Sequence, residues 1–98
     1  MRLSEEIKES MIYYAKEYFG NNIKLYLFGS RIDDNKRGGD IDLFIESTQK
    51  IELQTEIRFL RAIYKNITSR KVDLLIKTPY RQDKPIYHTA LNEGIRLC

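Results

Sequence analysis

The stretch IKLYLFGSRIDDNKRGGDIDLFIE, residues 23–46, contains two apolar alternations separated by a polar segment that includes two adjacent glycines. An alternation of period two is typical of a half-buried β-strand, so we expect strands over residues 23–28 and 40–46. The polar segment 31–39 is predicted to be a loop. Two strands joined by a short loop form the centre of the expected fold.

The flanking sequence predicts helices on both sides of this pair and a third strand, from helical periodicity, capping residues and a further alternation. The first expected element is a helix over 4–19, capped by Ser4 and ended by Gly20, and it is followed by the strands 23–28 and 40–46. A second helix is expected from a cap at Ser47-Thr48 to about residue 66, and a third strand over 71–77. The chain is expected to end with a helix from Pro85 to Glu93 and a short strand within 95–98. This order indicates an α/β (α+β) fold. We expect one domain over residues 1–98, with a small mixed sheet of three to four strands covered by helices.

Composition narrows the classes of function. The chain has 98 residues, of which 42% are hydrophobic and 32% charged, and no apolar run approaches a membrane span. We therefore expect a cytoplasmic protein without membrane association. The formal charge of +3 is spread among interleaved acids, which argues against direct nucleic-acid binding. The single cysteine, Cys98, and the single histidine, His88, argue against a structural zinc site.

Three aspartates stand in apolar strand patterns, where isolated charges are costly. Asp40 and Asp42 are two residues apart, so both carboxylates leave the same face of one predicted strand. Asp73 lies in the strand 71–77 and reaches the same face if the two strands are neighbours. Clustered carboxylates repel one another unless cations hold them, and oxygen ligands suit Mg²⁺. The pattern predicts that these three residues hold two magnesium ions for an in-line phosphoryl transfer.

Gly29 and Ser30 follow the first predicted strand, at the point where the chain turns. Glycine lets the backbone approach a phosphate closely, and backbone N–H groups at a following helical turn favour an anion, so we expect this pair to bind a triphosphate. Arg31 either contacts a phosphate as well or pairs with Asp33 or Asp34. Gly-Ser alone is an ordinary turn and Asp-x-Asp alone occurs by chance, but together they indicate one site.

Arg81 and His88 are separated by six residues, which imitates the Arg–His motif of HEPN ribonucleases. HEPN domains are all-helical, whereas this chain alternates helices and strands. We therefore interpret His88 as an ordinary residue of a helix surface.

Phe28-Gly29-Ser30-Arg31, together with Gly39-Asp40-Ile41-Asp42-Leu43, resembles the signature of the polymerase-β-like nucleotidyltransferase superfamily. The short chain and its ending, Lys84 to Gly94, resemble the minimal branch of that superfamily. These are the MNT domains that prokaryotes encode beside HEPN-domain proteins. The resemblance implies the nucleotidyltransferase fold and transfer of a nucleoside monophosphate from an NTP to a hydroxyl, with release of pyrophosphate.

In MNT–HEPN pairs the MNT protein is the antitoxin, and it adds AMP from ATP to a tyrosine of the HEPN toxin. The resemblance therefore implies ATP as substrate, two Mg²⁺ ions and a hetero-oligomer with a HEPN partner. It assigns Asp40 and Asp42 as metal ligands, Asp73 as the third carboxylate and candidate base, and Gly29 and Ser30 as the triphosphate-binding pair. The alternative is an antitoxin that binds nucleotide without catalysis and neutralises its partner by complex formation, because so short a chain has little room to enclose two substrates.

Overall fold

A computed structural model describes residues 4–28 and 41–98 of the chain. The helices and strands are α1 (Glu5–Phe19), β1 (Ile23–Phe28), β2 (Ile41–Ser47), α2 (Leu53–Asn66), β3 (Val72–Lys77), α3 (Pro85–Glu93) and β4 (Ile95–Arg96). The strands form one sheet in the order β3-β2-β1-β4. Strand β2 is parallel to β3, and β1 is antiparallel to both β2 and β4. The predicted α/β class with a small mixed sheet is confirmed.

Local signals explain where α1 begins and ends. The Ser4 hydroxyl accepts a hydrogen bond of 3.2 Å from the N–H of Ile7, which satisfies one of the free donors of the first turn. At the other end Gly20 has a φ of 91°, a conformation that favours glycine, and its N–H donates to the carbonyl of Lys16. Both predicted ends of this helix are confirmed.

The predicted cap of α2 at Ser47-Thr48 is wrong. Ser47 is the last residue of β2, and its hydroxyl accepts a hydrogen bond of 3.0 Å from the N–H of Gln49 in the following turn. The helix begins at Leu53 after Glu52, whose side chain makes no capping hydrogen bond. The Ser47 hydroxyl is thus used in the turn after the strand and not at the start of the helix, and such local bonds commonly compete with helix caps for this residue type.

The core lies on both faces of the sheet. Helices α1 and α2 cover one face, where side chains such as Leu25, Leu43 and Phe59 are fully buried. Helix α3 covers part of the other face through Tyr87 and Ala90. Within residues 4–28 and 41–98 no helix is long and apolar enough to cross a membrane. The described helices cover only part of this second face, and the predicted aspartates Asp42 and Asp73 lie on it.

Candidate functional site

Asp42 and Asp73 are direct partners in the parallel pairing of β2 with β3. Because they occupy equivalent positions on neighbouring strands, their side chains leave the same face of the sheet. Adjacent strands lie about 5 Å apart, so the two side chains start from backbone positions about 5 Å apart. Two carboxylates at this spacing form one acidic site. This is the arrangement expected if the two strands that carry Asp42 and Asp73 are neighbours.

Other predicted site residues, namely Gly29, Ser30, Arg31 and Asp40, lie outside the described residues. The described residues on either side of this segment nevertheless lie beside the acidic site. Phe28, the last described residue of β1, is the antiparallel partner of Asp42. Ile41, the first described residue of β2, immediately precedes Asp42.

The two described aspartates suit a hydrated cation. Asp73 keeps 47% of its side chain exposed, and its Oδ1 lies 3.7 Å from the Nζ of Lys71. Asp42 is half-buried. Mg²⁺ is commonly bound by one or two carboxylates together with waters and substrate phosphates, so an accessible pair of oxygen donors fits it. Among residues 4–28 and 41–98 no group of three or more His, Cys, Asp or Glu side chains is arranged to hold a metal ion, and the third predicted ligand, Asp40, is not in that range.

Lys71 was not among the site residues predicted from the sequence. Its ammonium group is the cation that the structure pairs with Asp73, although 69% of its side chain is exposed. The available signal was spacing, because residues two apart at the start of a strand leave the same face. A lysine at this position could also screen the charge of a phosphate.

The acidic pair belongs to a regular pattern on this face of the sheet. Three rows of side chains cross β1, β2 and β3: Phe28–Asp42–Asp73, then Tyr26–Phe44–Leu75, then Lys24–Glu46–Lys77. The middle row is apolar and packs against α3, with ring centroids of Phe44 and Tyr87 5.8 Å apart. The apolar row therefore separates the acidic row from the charged row beyond it.

The charged row borders a cavity at the opposite end of the strands. Glu46 forms ion pairs with Lys77 at 3.6 Å and with Lys24 at 4.0 Å. The cavity has a volume of about 410 Å³ and is also lined by Ser47 and Thr48. Asp42 and Glu46 are four positions apart on β2, a distance of about 13 Å. This cavity is therefore a separate feature from the acidic site.

Arg81 and His88 have separate structural roles. The guanidinium of Arg81 donates hydrogen bonds to the carboxylate of Glu56 and to the carbonyl of Ile51, and it thereby ties the segment after β3 to α2. His88 is exposed on α3, as predicted, with its Nε2 3.0 Å from Oδ2 of Asp83. The hydrogen bond from His88 lowers the pKa of Asp83 below its ordinary value.

The chain is similar to known nucleotidyltransferases. Residues 9–98 match the family model described as polymerase beta, nucleotidyltransferase. A solved structure of the toxin–antitoxin pair MntA–HepT contains a similar chain, with a TM-score of 0.71 and 14% identity over 97% of this chain and 72% of that one. A mutant of that pair with two aspartate-to-glutamate substitutions matches with a TM-score of 0.73 and 14% identity over 93% and 71%.

These likenesses confirm the nucleotidyltransferase fold that the motif resemblance implied. No curated protein is significantly similar to the chain in sequence.

Proposed function

The chain belongs to the polymerase β nucleotidyltransferase family, since that family's model matches residues 9–98, and we propose that it transfers AMP from ATP to a tyrosine hydroxyl of a HEPN-domain toxin. The observation that carries the proposal is the in-register pairing of Asp42 with Asp73 on one face of the sheet. Phosphoryl transfer depends on positioning and on charge stabilisation, and two adjacent carboxylates at an accessible edge can contribute to both.

Each site residue has a role in this reaction. Asp40, Asp42 and Asp73 would hold two Mg²⁺ ions, which when bound stabilise charge on the attacking and leaving oxygens. Gly29, Ser30 and Arg31 would hold the triphosphate. Asp73, nearest the acceptor, takes the proton of the hydroxyl as the acceptor oxygen bonds to the α-phosphorus. The bond from that phosphorus to the bridging oxygen breaks, and pyrophosphate leaves.

The proposed partner rests on the structural neighbours and on the exposure of the Asp73 side chain. The similar chains come from solved toxin–antitoxin pairs of MntA with HepT, and this chain shares their fold. The two substituted aspartates of the mutant pair are two positions apart, which is also the spacing of Asp40 and Asp42. We propose a hetero-oligomer with a HEPN toxin in the cytoplasm, in which the partner supplies the acceptor and covers the acidic site.

A second function, neutralisation by complex formation without catalysis, is favoured by one observation. The Asp73 side chain is half-exposed, and the cavity of about 410 Å³ on this face lies at the far end of the strands from the acidic pair. A carboxylate this exposed is compatible with a surface that only binds its partner. The two functions differ in whether the carboxylates are needed.

The test is intact-mass spectrometry of the chain mixed with Mg-ATP and a HEPN-domain protein from the same genome. We expect the partner to gain the mass of one or more AMP units. Asp42→Asn keeps the side-chain shape but removes the charge, and it should slow the transfer roughly a hundredfold or more, the scale of a single preorganised electrostatic group. Asp83→Asn is the matched control, because it makes the same change at an exposed position away from the acidic pair.

The outcomes separate the two functions. A mass gain that persists with Asp42→Asn at an unchanged rate would refute the assignment of this carboxylate. If neither the wild-type chain nor the Asp83→Asn variant modifies a partner that both bind stably, the non-catalytic function replaces the first.

A further inference from the structure

Strand β3 forms one edge of the described sheet, and no other described strand pairs with its outer side. The carbonyl of Lys71 accepts a hydrogen bond of 2.8 Å from the N–H of Ile41, so the backbone groups of Lys71 face β2. In a parallel pair alternate residues bond to the neighbouring strand, so the backbone groups of Val72, Leu74 and Ile76 face outward. Leu74 and Ile76 have no outer partner in the part of the chain that the structure describes.

One side chain covers one end of this edge. The N–H of Val72 donates a hydrogen bond of 2.8 Å to the Tyr64 hydroxyl, and this hydroxyl lies 3.4 Å from the Val72 carbonyl oxygen. Among the described residues, Tyr64 thus takes the place of a neighbouring strand at one position. An open edge is a template for another strand unless something protects it.

An apolar flank of α2 lies beside the same edge. Tyr64 shows which side of the helix faces outward at β3, and Leu60, Ile57 and Leu53 occupy the same side at helical spacing. Leu53 is 67% exposed and Ile57 is 45% exposed. The edge strand and this flank form a continuous surface, which we call the β3 edge surface.

We propose that the β3 edge surface pairs with that of a second copy of this chain, with the two β3 strands antiparallel about a two-fold axis through Leu75. In this register Leu74 faces Ile76 of the second copy, and each such pair can exchange two backbone hydrogen bonds. Asp73 faces Lys77 of the second copy, and opposite charges directly across an antiparallel pair are stabilising. The strand is therefore complementary to itself in charge and in apolar character, as a two-fold interface requires.

The helices follow the same symmetry. From the contact of Tyr64 with Val72, three residues along β3 cover about 10 Å and reach Leu75. Seven residues back along α2 cover about 10 Å and reach Ile57. Ile57 therefore lies beside the proposed axis and would meet its own copy there. Leu53 would approach Leu60 of the second copy, so that the exposed flank is buried.

The self-complementary spacing favours a second copy over an extended segment of another protein. A foreign strand gains the same backbone hydrogen bonds, but it matches the charges of β3 only if it carries a cation opposite Asp73 and an anion opposite Lys77. In the proposed pair Asp73 and Lys77 lie symmetrically about Leu75 and select each other. Because Asp73 also belongs to the acidic site, a bound cation would compete for this carboxylate, and the test is made without divalent cations.

The first test is sedimentation equilibrium of the full chain over a wide concentration range. We expect a monomer–dimer equilibrium. Lys77→Glu places like charges opposite each other at two symmetric positions and should weaken the dimer by about tenfold or more. Adding Asp73→Lys to that variant restores opposite charges and should restore most of the affinity. Lys24→Glu is the matched control, because Lys24 also pairs with Glu46 but lies on β1, away from the edge.

The contribution of α2 to the β3 edge surface is tested separately, with a control of its own. Ile57→Asp should also weaken the dimer, whereas Ile86→Asp should not, since Ile86 has a similar exposure of 47% but lies on α3. Far-UV circular dichroism of each variant checks that the fold is kept.

The register is tested by a disulfide. Leu75 would face itself with the two Cα atoms roughly 4.5–5.5 Å apart, within the range that a disulfide spans. Leu75→Cys, made together with Cys98→Ser, should form a covalent dimer under mild oxidation. A wild-type chain that stays monomeric at all concentrations would overturn the proposal. So would a dimer that tolerates both Lys77→Glu and Ile57→Asp, or a charge-exchanged double variant that dimerises no better than Lys77→Glu alone.

Discussion

Replacing Tyr64 with Phe should weaken the end of β3 without disturbing the packing of α2. The substitution removes one oxygen, and this oxygen accepts the 2.8 Å hydrogen bond from the N–H of Val72. The ring itself stays. The predicted loss of stability therefore comes from one backbone donor that no longer has a partner.

The size of the effect follows from the geometry. A typical intramolecular hydrogen bond contributes about 1 kcal/mol net. The contact of the same hydroxyl with the Val72 carbonyl oxygen, at 3.4 Å, is long and adds little. Tyr64 is 42% exposed, so water can reach the freed N–H and limit the cost. We expect a loss of about 1 kcal/mol in the free energy of unfolding, which for a domain of this size lowers Tm by roughly 4–8 °C.

The assay is urea unfolding followed by far-UV circular dichroism, at a low protein concentration so that association does not contribute. Tyr13→Phe is the matched control, because Tyr13 is 62% exposed on α1 and its ring contact with Tyr14 does not need the hydroxyl. A loss for Tyr64→Phe no larger than that of the control would refute the bonding argument. A loss above about 3 kcal/mol would mean that the hydroxyl is buried more deeply than its exposure indicates.

Three further predictions concern stability. Phe44→Ala removes a fully buried ring that contacts Tyr87, so it should lower the free energy of unfolding by about 3–5 kcal/mol in a urea titration. Gly20→Ala should cost about 1–3 kcal/mol in the same assay, because its φ of 91° strains any other residue, although an added Cβ would meet no atom within 4 Å. Asp83→Asn should reduce Tm slightly at neutral pH, because His88 lowers the pKa of Asp83 in the folded protein. The stabilisation by the Asp83 carboxylate is therefore present above the unfolded-state pKa of about 4, and it is lost as pH falls through the lower folded-state pKa. Equal Tm losses at pH 7 and at strongly acidic pH would contradict the last prediction.

The acidic site and the β3 edge surface share strand β3, because side chains and backbone groups of a strand point in different directions. Side chains of β3 reach the acidic face through Asp73, while backbone groups of Val72, Leu74 and Ile76 face the open edge. A second copy at the edge would place a lysine ammonium beside a carboxylate that the proposed reaction needs free. Self-association and the proposed reaction would therefore compete for Asp73.

Most of the secondary structure follows from short-range sequence signals. Ser4 and Gly20 end α1 as predicted, and Pro85 starts α3 at its first turn. The exception is the cap of α2, since a serine after a strand can bond either to a helix or to its own turn. The local pattern contains both options, and Ser47 takes the turn.

The sequence by itself determined the α/β class, the order of the elements and the placement of Asp42 and Asp73 opposite the apolar face of their strands, because alternation and capping act within a few residues. Only the tertiary structure decided that β2 and β3 are parallel neighbours with Asp42 opposite Asp73. It also decided that β3 lies at the sheet edge with Tyr64 at one end. The strand order and the edge position of β3 both depend on how α2 connects β2 to β3. The register between these two strands, which are far apart in sequence, is set by packing against the shared core.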